Sequence, residues 1–153
     1  MPFYRVIGTV LRPIWRARRG LTLGAVGCVI DERDKVLLVK HSYRAGWHFP
    51  GGGVEWGETT EAAMRRELAE EVGVEVIGDA DLHGVFTNFK SFPGDHIAFY
   101  IVRRWRRPVV PGPNAEIIAS GFYHADELPE GTSGGVRRRL AEVFGDAAKS
   151  ASW

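Results

Sequence analysis

Hydrophobic and polar positions follow two different rhythms along this chain. The runs LTLGAVGCVID and KVLLVKH, parted by a polar turn at residues 31–34, are dense in β-branched and aliphatic residues and predict strands paired as a hairpin or lying as neighbours in a buried sheet. Further apolar stretches at residues 74–77 and 82–89, the run IAFYIVRRW and residues 116–124 read as additional strands, with proline-rich or glycine-bearing loops between them. Two segments change to helical spacing. Residues 59–72 form the first, and residues 134–149 form a closing helix with Val136, Leu140, Val143, Phe144 and Ala147 on its buried side. The tail after residue 149 carries no pattern of its own.

The first helix carries the unusual chemistry. Thr59 or Thr60 can supply the N-cap oxygen, Glu61 falls in the first turn, and Gly73 suits the residue just past the C-terminus. At about 100° per residue, Met64, Leu68, Val72, Ala69 and Ala62 share one arc, while Glu67, Glu70 and Glu71 collect on the other side. Arg65 falls inside the apolar arc and must extend its guanidinium to solvent. Carboxylates at i, i+3 and i+4 repel one another by roughly a few tenths of a kcal/mol per exposed pair, and by more if desolvated. Either Arg65 and Arg66 temper a solvated acidic face, or the acids hold a divalent cation such as Mg²⁺ or Mn²⁺.

Just before this helix stands Pro50-Gly51-Gly52-Gly53, whose backbone can approach a metal or a phosphate closely because it has little side-chain bulk. Gly52, Glu58, Arg66, Glu67, Leu68, Glu70, Glu71, Gly73 and Val74 fill every defined position of the Nudix signature. Gly46-Trp47-His48-Phe49-Pro50 leads into it, and Glu55 and Gly57 lie within it. The chain therefore resembles the Nudix hydrolases, over roughly residues 21–145.

That resemblance implies an α/β fold, an α/β/α sandwich with a mixed β-sheet and the acidic helix after a Gly-rich loop. It also implies a Mg²⁺- or Mn²⁺-dependent enzyme that cleaves the diphosphate bond of a nucleoside diphosphate linked to another group, of the ADP-ribose or NDP-sugar type. Nucleoside triphosphate pyrophosphohydrolysis is the alternative, and a non-catalytic nucleotide-sensing domain is the alternative from another class. By the family pattern Glu67, Glu70 and Glu71 are metal ligands together with a backbone carbonyl at Gly51 or Gly52, while Arg66 orients one of these carboxylates. Glu58 is an auxiliary acid. The general base comes from the helix or from elsewhere, with Glu116 the first outside candidate and Asp95 the reserve. Arg44, Gly52, Gly53 and Phe89 are candidate substrate contacts; Phe86, Phe89 and Phe92 could each stack on a base or pack as core or rim.

Composition narrows the remaining classes. The chain has 153 residues, 44% hydrophobic and 25% charged, which suits one globular domain over residues 21–149 followed by a tail at 150–153. A net charge of +1 makes no overall commitment to nucleic acid or membrane. Residues 1–20 form a basic extension with five arginines and no acid, expected to pack on its own domain or at a homodimer interface rather than on a membrane. Arg103, Arg104, Arg106 and Arg107 around Trp105 could attract phosphates, but read first as a solvated strand end. A lone cysteine, Cys28, excludes an internal disulfide and sits in an apolar run as a core residue. With no signal-peptide pattern or membrane-length apolar run, the cytoplasm is the default location and a small nucleotide the expected partner.

Overall fold

The apolar runs become strands whose alternating side chains serve two separate cores. The structure, a computed structural model, describes residues 20–153; the basic extension read at residues 1–20 lies almost wholly outside the described residues. In chain order the elements are β1 (Thr22–Val29), β2 (Val36–His41), β3 (Trp47–His48), β4 (Gly51–Gly53), α1 (Thr60–Val72), β5 (Glu75–Val76), β6 (Asp81–Thr87), β7 (Asp95–Val102), β8 (Trp105–Arg106), β9 (Ile117–Tyr123) and α2 (Gly134–Phe144).

A four-stranded sheet runs β4-β1-β7-β6, with β1 and β7 parallel and the other pairs antiparallel. A three-stranded antiparallel sheet runs β3-β2-β9, and β5 and β8 form a small ribbon. Neither expectation for β1 and β2, a hairpin or neighbours in one buried sheet, holds. Their ladders belong to different sheets, and a single bridge, Ile30 to Val36, joins them near the turn. Both edges of each strand are already taken, β1 by β4 and β7 and β2 by β3 and β9.

Period-two alternation sorts the side chains. Ala25, Val29, Leu37, Val39, Ala98, Tyr100 and Val102 pack with Ala63, Met64, Leu68 and Val72 of α1. Cys28, Ile30, Val36, Leu38, Phe49, Phe86 and Phe99 pack with Val136 and Leu140 of α2. The two helices therefore cover opposite sides, giving the sandwich expected from the resemblance. Cys28 is fully buried, and that burial pushes its thiol pKa up, as suits a core residue. No helix among the described residues is long and apolar enough to cross a membrane.

Three local expectations change. The closing helix ends at Phe144, because Gly145 follows; Phe144 is exposed and Ala147 lies beyond the helix. The arginines of residues 103–107 spread over separate partners: Arg103 pairs with Asp34, Arg106 with Glu75, and Arg107 donates to the Val72 carbonyl at the end of α1 at 2.7 Å. Finally, the patternless tail returns to the body. Trp153 donates its backbone N–H to Thr87 at 2.8 Å, and its indole packs against Phe49, Phe86 and Phe99.

Beneath that indole lies a buried charged group. Arg139 is fully buried, with its guanidinium carbon 3.7 Å from the centre of the Phe86 ring and a 2.6 Å ion pair to Glu142. His83 and the Ser150 amide also bond Glu142, both at 2.9 Å. Replacing Trp153 by Ala should therefore uncover this face and lower stability by roughly 2–3 kcal/mol. Chemical denaturation would read this as a lower midpoint, and an unchanged midpoint would show that the tail is not part of the core.

Candidate active site

The acidic helix can sit close to the sheet because glycine stands beneath it twice. A Cβ on Gly27 of β1 would lie 2.9 Å from Leu68 Cδ1, and one on Gly52 of β4 would lie 2.5 Å from Glu67 Oε1. A side chain at either position would have to displace the Leu68 or Glu67 side chain. Thr59 caps the helix by accepting from the Ala62 N–H at 3.1 Å, and Gly73 ends it in the left-handed region, with its N–H and that of Val74 directed back to Ala69 and Leu68.

This seating alters the expected faces of α1. Ala62 and Ala69 are exposed and Ala63 is buried, while Glu71 is only 7% exposed. Glu71 follows Met64 by seven residues and so lies about 20° from it around the axis, on the apolar arc rather than with Glu70. The three helix acids therefore have three environments. Glu71 is interior, Glu67 lies over Gly52, and the Glu70 side chain is 63% exposed. Arg65 reaches Glu61 and the carbonyls of Val76 and Gly78, which takes its guanidinium clear of the core.

Gly51–Gly53, expected as a loop, form an edge strand antiparallel to β1, with Gly52 opposite Ala25. Hydrogen bonds from Gly27 N–H to the Pro50 carbonyl and from Val54 N–H to the Leu23 carbonyl fix the ladder phase. By the alternation of an antiparallel pair, Gly52 commits its N–H and carbonyl to β1, whereas those of Gly51 and Gly53 face the open edge. Consistent with this, Gly51 N–H donates to Glu71 Oε2 at 2.9 Å and the Gly53 carbonyl accepts from Arg66 at 3.1 Å. Of the two carbonyls named from the family pattern, Gly51 has the free one; Gly52 contributes by lacking a side chain.

Arg66 ties these pieces together. It donates to both oxygens of Glu58, at 2.8 and 3.0 Å, and to Glu67 at 2.7 Å, and it lies 3.5 Å from Glu70. The Arg66 guanidinium, with help from the Glu55 N–H, holds the Glu58 carboxyl down at about 2. Such a strap fixes the orientation of Glu67 before any ligand arrives.

The opposite wall of the site comes from the end of β2 and the start of β9. Glu116 lies one residue before β9, and Tyr43 donates its hydroxyl to Glu116 at 3.3 Å. His41, Glu71 and Glu116 place one potential ligand atom each within 4.8 Å of one another. Burial, with the charges of Glu67, Glu116 and Glu70 adding to it and the Gly51 N–H opposing it, pushes the Glu71 carboxyl up to about 8. An interior carboxyl facing another acid is short of positive charge, and the two carboxyls converging with an imidazole nitrogen fit a divalent cation.

The family profile described as NUDIX domain matches residues 21–143. The chain belongs to the Nudix hydrolase family. The Bacillus subtilis protein named uncharacterized Nudix hydrolase YvcI is 44% identical over 70 residues, covering 46% of this chain and 43% of that protein. An 8-oxo-dGTP diphosphatase of Proteus vulgaris is 36% identical over 88 residues, covering 54% of this chain and 76% of that protein. This Nudix chain thus matches less than half the length of the first relative and about three quarters of the second. Among solved structures, the MutT NUDIX hydrolase from Burkholderia pseudomallei is similar with a TM-score of 0.68 at 27% identity, covering 80% of this chain and 97% of that one.

In this Nudix site the residues named from sequence do not all converge. Arg44 is exposed on the loop after β2, close enough for its charge to act on His41 and His48. Gly53 lies at the edge beside Arg66. Phe89 stands on the loop between β6 and β7, edge-on to His96 at 5.3 Å, and Phe86 is core. Asp95 accepts from the Thr22 hydroxyl at 2.6 Å and from the Asn88 amide at 2.8 Å, which makes it a loop staple. His41 and Tyr43 escaped the sequence reading. The alternation of Leu37 and Val39 toward α1 points the next odd residue, His41, at the acids, and that was the available signal.

Because the folded state binds the Glu71 proton more tightly than the unfolded chain, stability falls as pH rises from 4.5 to about 8. His41 and His48 are lowered from 6.5, chiefly by burial, and act in the opposite direction only below that value. Chelator-treated protein should therefore lose melting temperature between pH 6.5 and about 8. Saturating Mg²⁺ should flatten the slope and Glu71→Gln should remove it; a slope that persists in the variant would assign it to another group.

Proposed function

We propose that this chain hydrolyses the diphosphate bond of a nucleoside diphosphate linked to another group, with Mg²⁺ or Mn²⁺, releasing a nucleoside monophosphate and a phosphorylated group. The observation that carries the reading is the placement of Glu71 on the free N–H of Gly51 and of Glu67 over Gly52, with Glu116 close to Glu71. A diphosphate is densely anionic, and water is a weak nucleophile at neutral pH. Bound divalent cations supply shielding of the phosphoryl oxygens and a water of lowered pKa.

The chain's own groups do the positioning. Glu67 and Glu71, with the Gly51 carbonyl, would hold the cations, and Glu70 adds a carboxylate from the solvent side. Arg66 fixes Glu67 through its bond and Glu58 through a fork. Glu116 is the carboxylate from outside the helix, a further ligand or the acceptor of water's proton, and Tyr43 orients it. Arg44, at the rim, has the charge to meet a phosphate, and Phe89 remains the aromatic candidate for the base. A second reading, a nucleoside triphosphate as substrate, is favoured by the name of the Proteus vulgaris relative.

A panel of ADP-ribose, NDP-sugars, nucleoside triphosphates and 8-oxo-dGTP, with products identified by mass, tests both. Monophosphate plus a phosphorylated sugar supports the first reading, and monophosphate plus pyrophosphate the second. Tight binding without metal-dependent turnover of any member would support a sensor instead. Glu67→Gln and Glu71→Gln should each lower kcat by more than about 100-fold while the protein stays folded. Gly52→Ala should lower activity by roughly 10–100-fold by displacing Glu67; wild-type turnover in that variant would show that the helix seating is dispensable.

A further inference from the structure

The acids of α1 offer only oxygen, yet the opposite wall places a nitrogen among them. His41 is the last residue of β2 and only 5% exposed, and its Nδ1 makes no hydrogen bond among the described residues. That atom lies 3.8 Å from Glu71 Oε1, too far for a hydrogen bond. Two ligands of one octahedral ion with bonds of about 2.1 Å stand about 3.0 Å apart when adjacent and about 4.2 Å when opposite. The observed separation is wider than an adjacent pair and narrower than an opposite one, so binding an ion would draw the two side chains together.

The backbone around this group is pinned. The β2 ladder with β9 shifts register between Lys40 and His41, which brings His41 opposite Ile117 and next to Glu116. Ser42 donates its N–H to the Glu116 carbonyl at 2.8 Å and its hydroxyl to Ala115 at 2.6 Å. The Asn114 side-chain oxygen takes the amides of Glu116 and Ile117, both at 2.8 Å. Two strand ends are thus held so that an imidazole nitrogen and a carboxylate lie within 4.8 Å of Glu71.

We propose that His41 is a direct ligand of a divalent cation shared with Glu71 and Glu116, and that this nitrogen makes the site prefer Mn²⁺, Co²⁺ or Zn²⁺ to Mg²⁺. The proposal rests on the metal-dependent reading above and adds which ions the site selects. Oxygen-only sites suit Mg²⁺, which gives up its waters reluctantly, whereas imidazole favours the borderline transition ions. Glu116 takes the ligand role here, with the Tyr43 hydroxyl on one of its oxygens.

The test uses the full chain stripped of metal and titrated with Mn²⁺ or Mg²⁺ alone, by calorimetry, together with pulsed EPR of the Mn²⁺ complex. The expected results are a tighter Mn²⁺ Kd, an imidazole-nitrogen coupling on bound Mn²⁺, and loss of that coupling in His41→Gln. In the same variant the Mn²⁺-to-Mg²⁺ affinity ratio should fall by about 10-fold or more. Glu116→Gln should weaken Mn²⁺ while keeping the nitrogen coupling, which tests the group even if the His41 variant fails to fold. Bound Mn²⁺ without nitrogen coupling, or an unchanged ratio in His41→Gln, overturns the proposal and leaves the hydrolase reading standing. Failure of both ions to bind the wild-type chain overturns both.

Discussion

A carboxylate placed where a helix should be apolar governs this structure. Glu71 occupies the interior arc of α1, and among the described residues it accepts a hydrogen bond from the Gly51 N–H at 2.9 Å. Burying an acid without a full partner is unfavourable, so the surroundings must hold it in place against that tendency. Leu68 and Val72 anchor the helix on either side of it, Gly27 and Gly52 let the helix approach, and Arg107 and Gly73 secure the end of the same turn. The resulting tension in charge, with the carboxyl pushed up to about 8, is what a cation would relieve.

Much of this was legible in the sequence because the signals were local. The caps of α1, the glycines before it and the acid spacing could all be read in one window, and the alternation in β1, β2 and β7 placed most of the core. The failures arose where partners are distant along the chain. Which strands neighbour β1 depends on β4 and β7, so local pattern could not separate a hairpin from two sheets. Trp153 has no periodic context, and only its packing on Phe49, Phe86 and Phe99 shows that it belongs to the core.

At the site the same distinction holds. The helix acids follow from their spacing, but the environment of each does not, because Glu70 and Glu71 are adjacent in sequence and differ in burial. His41 and Glu116 meet only through the register of β2 with β9, a contact between residues far apart in the chain. Asp95 was attractive as an acid near a loop, and its two hydrogen bonds show it engaged in holding that loop. Residue type nominated these side chains, and their partners lie far along the chain.

The sheet's two faces also divide the labour of the molecule. From β1, Ala25 and Val29 look toward the acidic helix while Cys28, and Ile30 just past the strand, look toward α2 and the docked tail. The fully buried guanidinium of Arg139 and the indole over it belong to that second side, away from Glu71. Robustness and reactivity can consequently drift apart over generations. One side can be repacked for heat or cold while the spacing of the charged side chains on the other stays as it was.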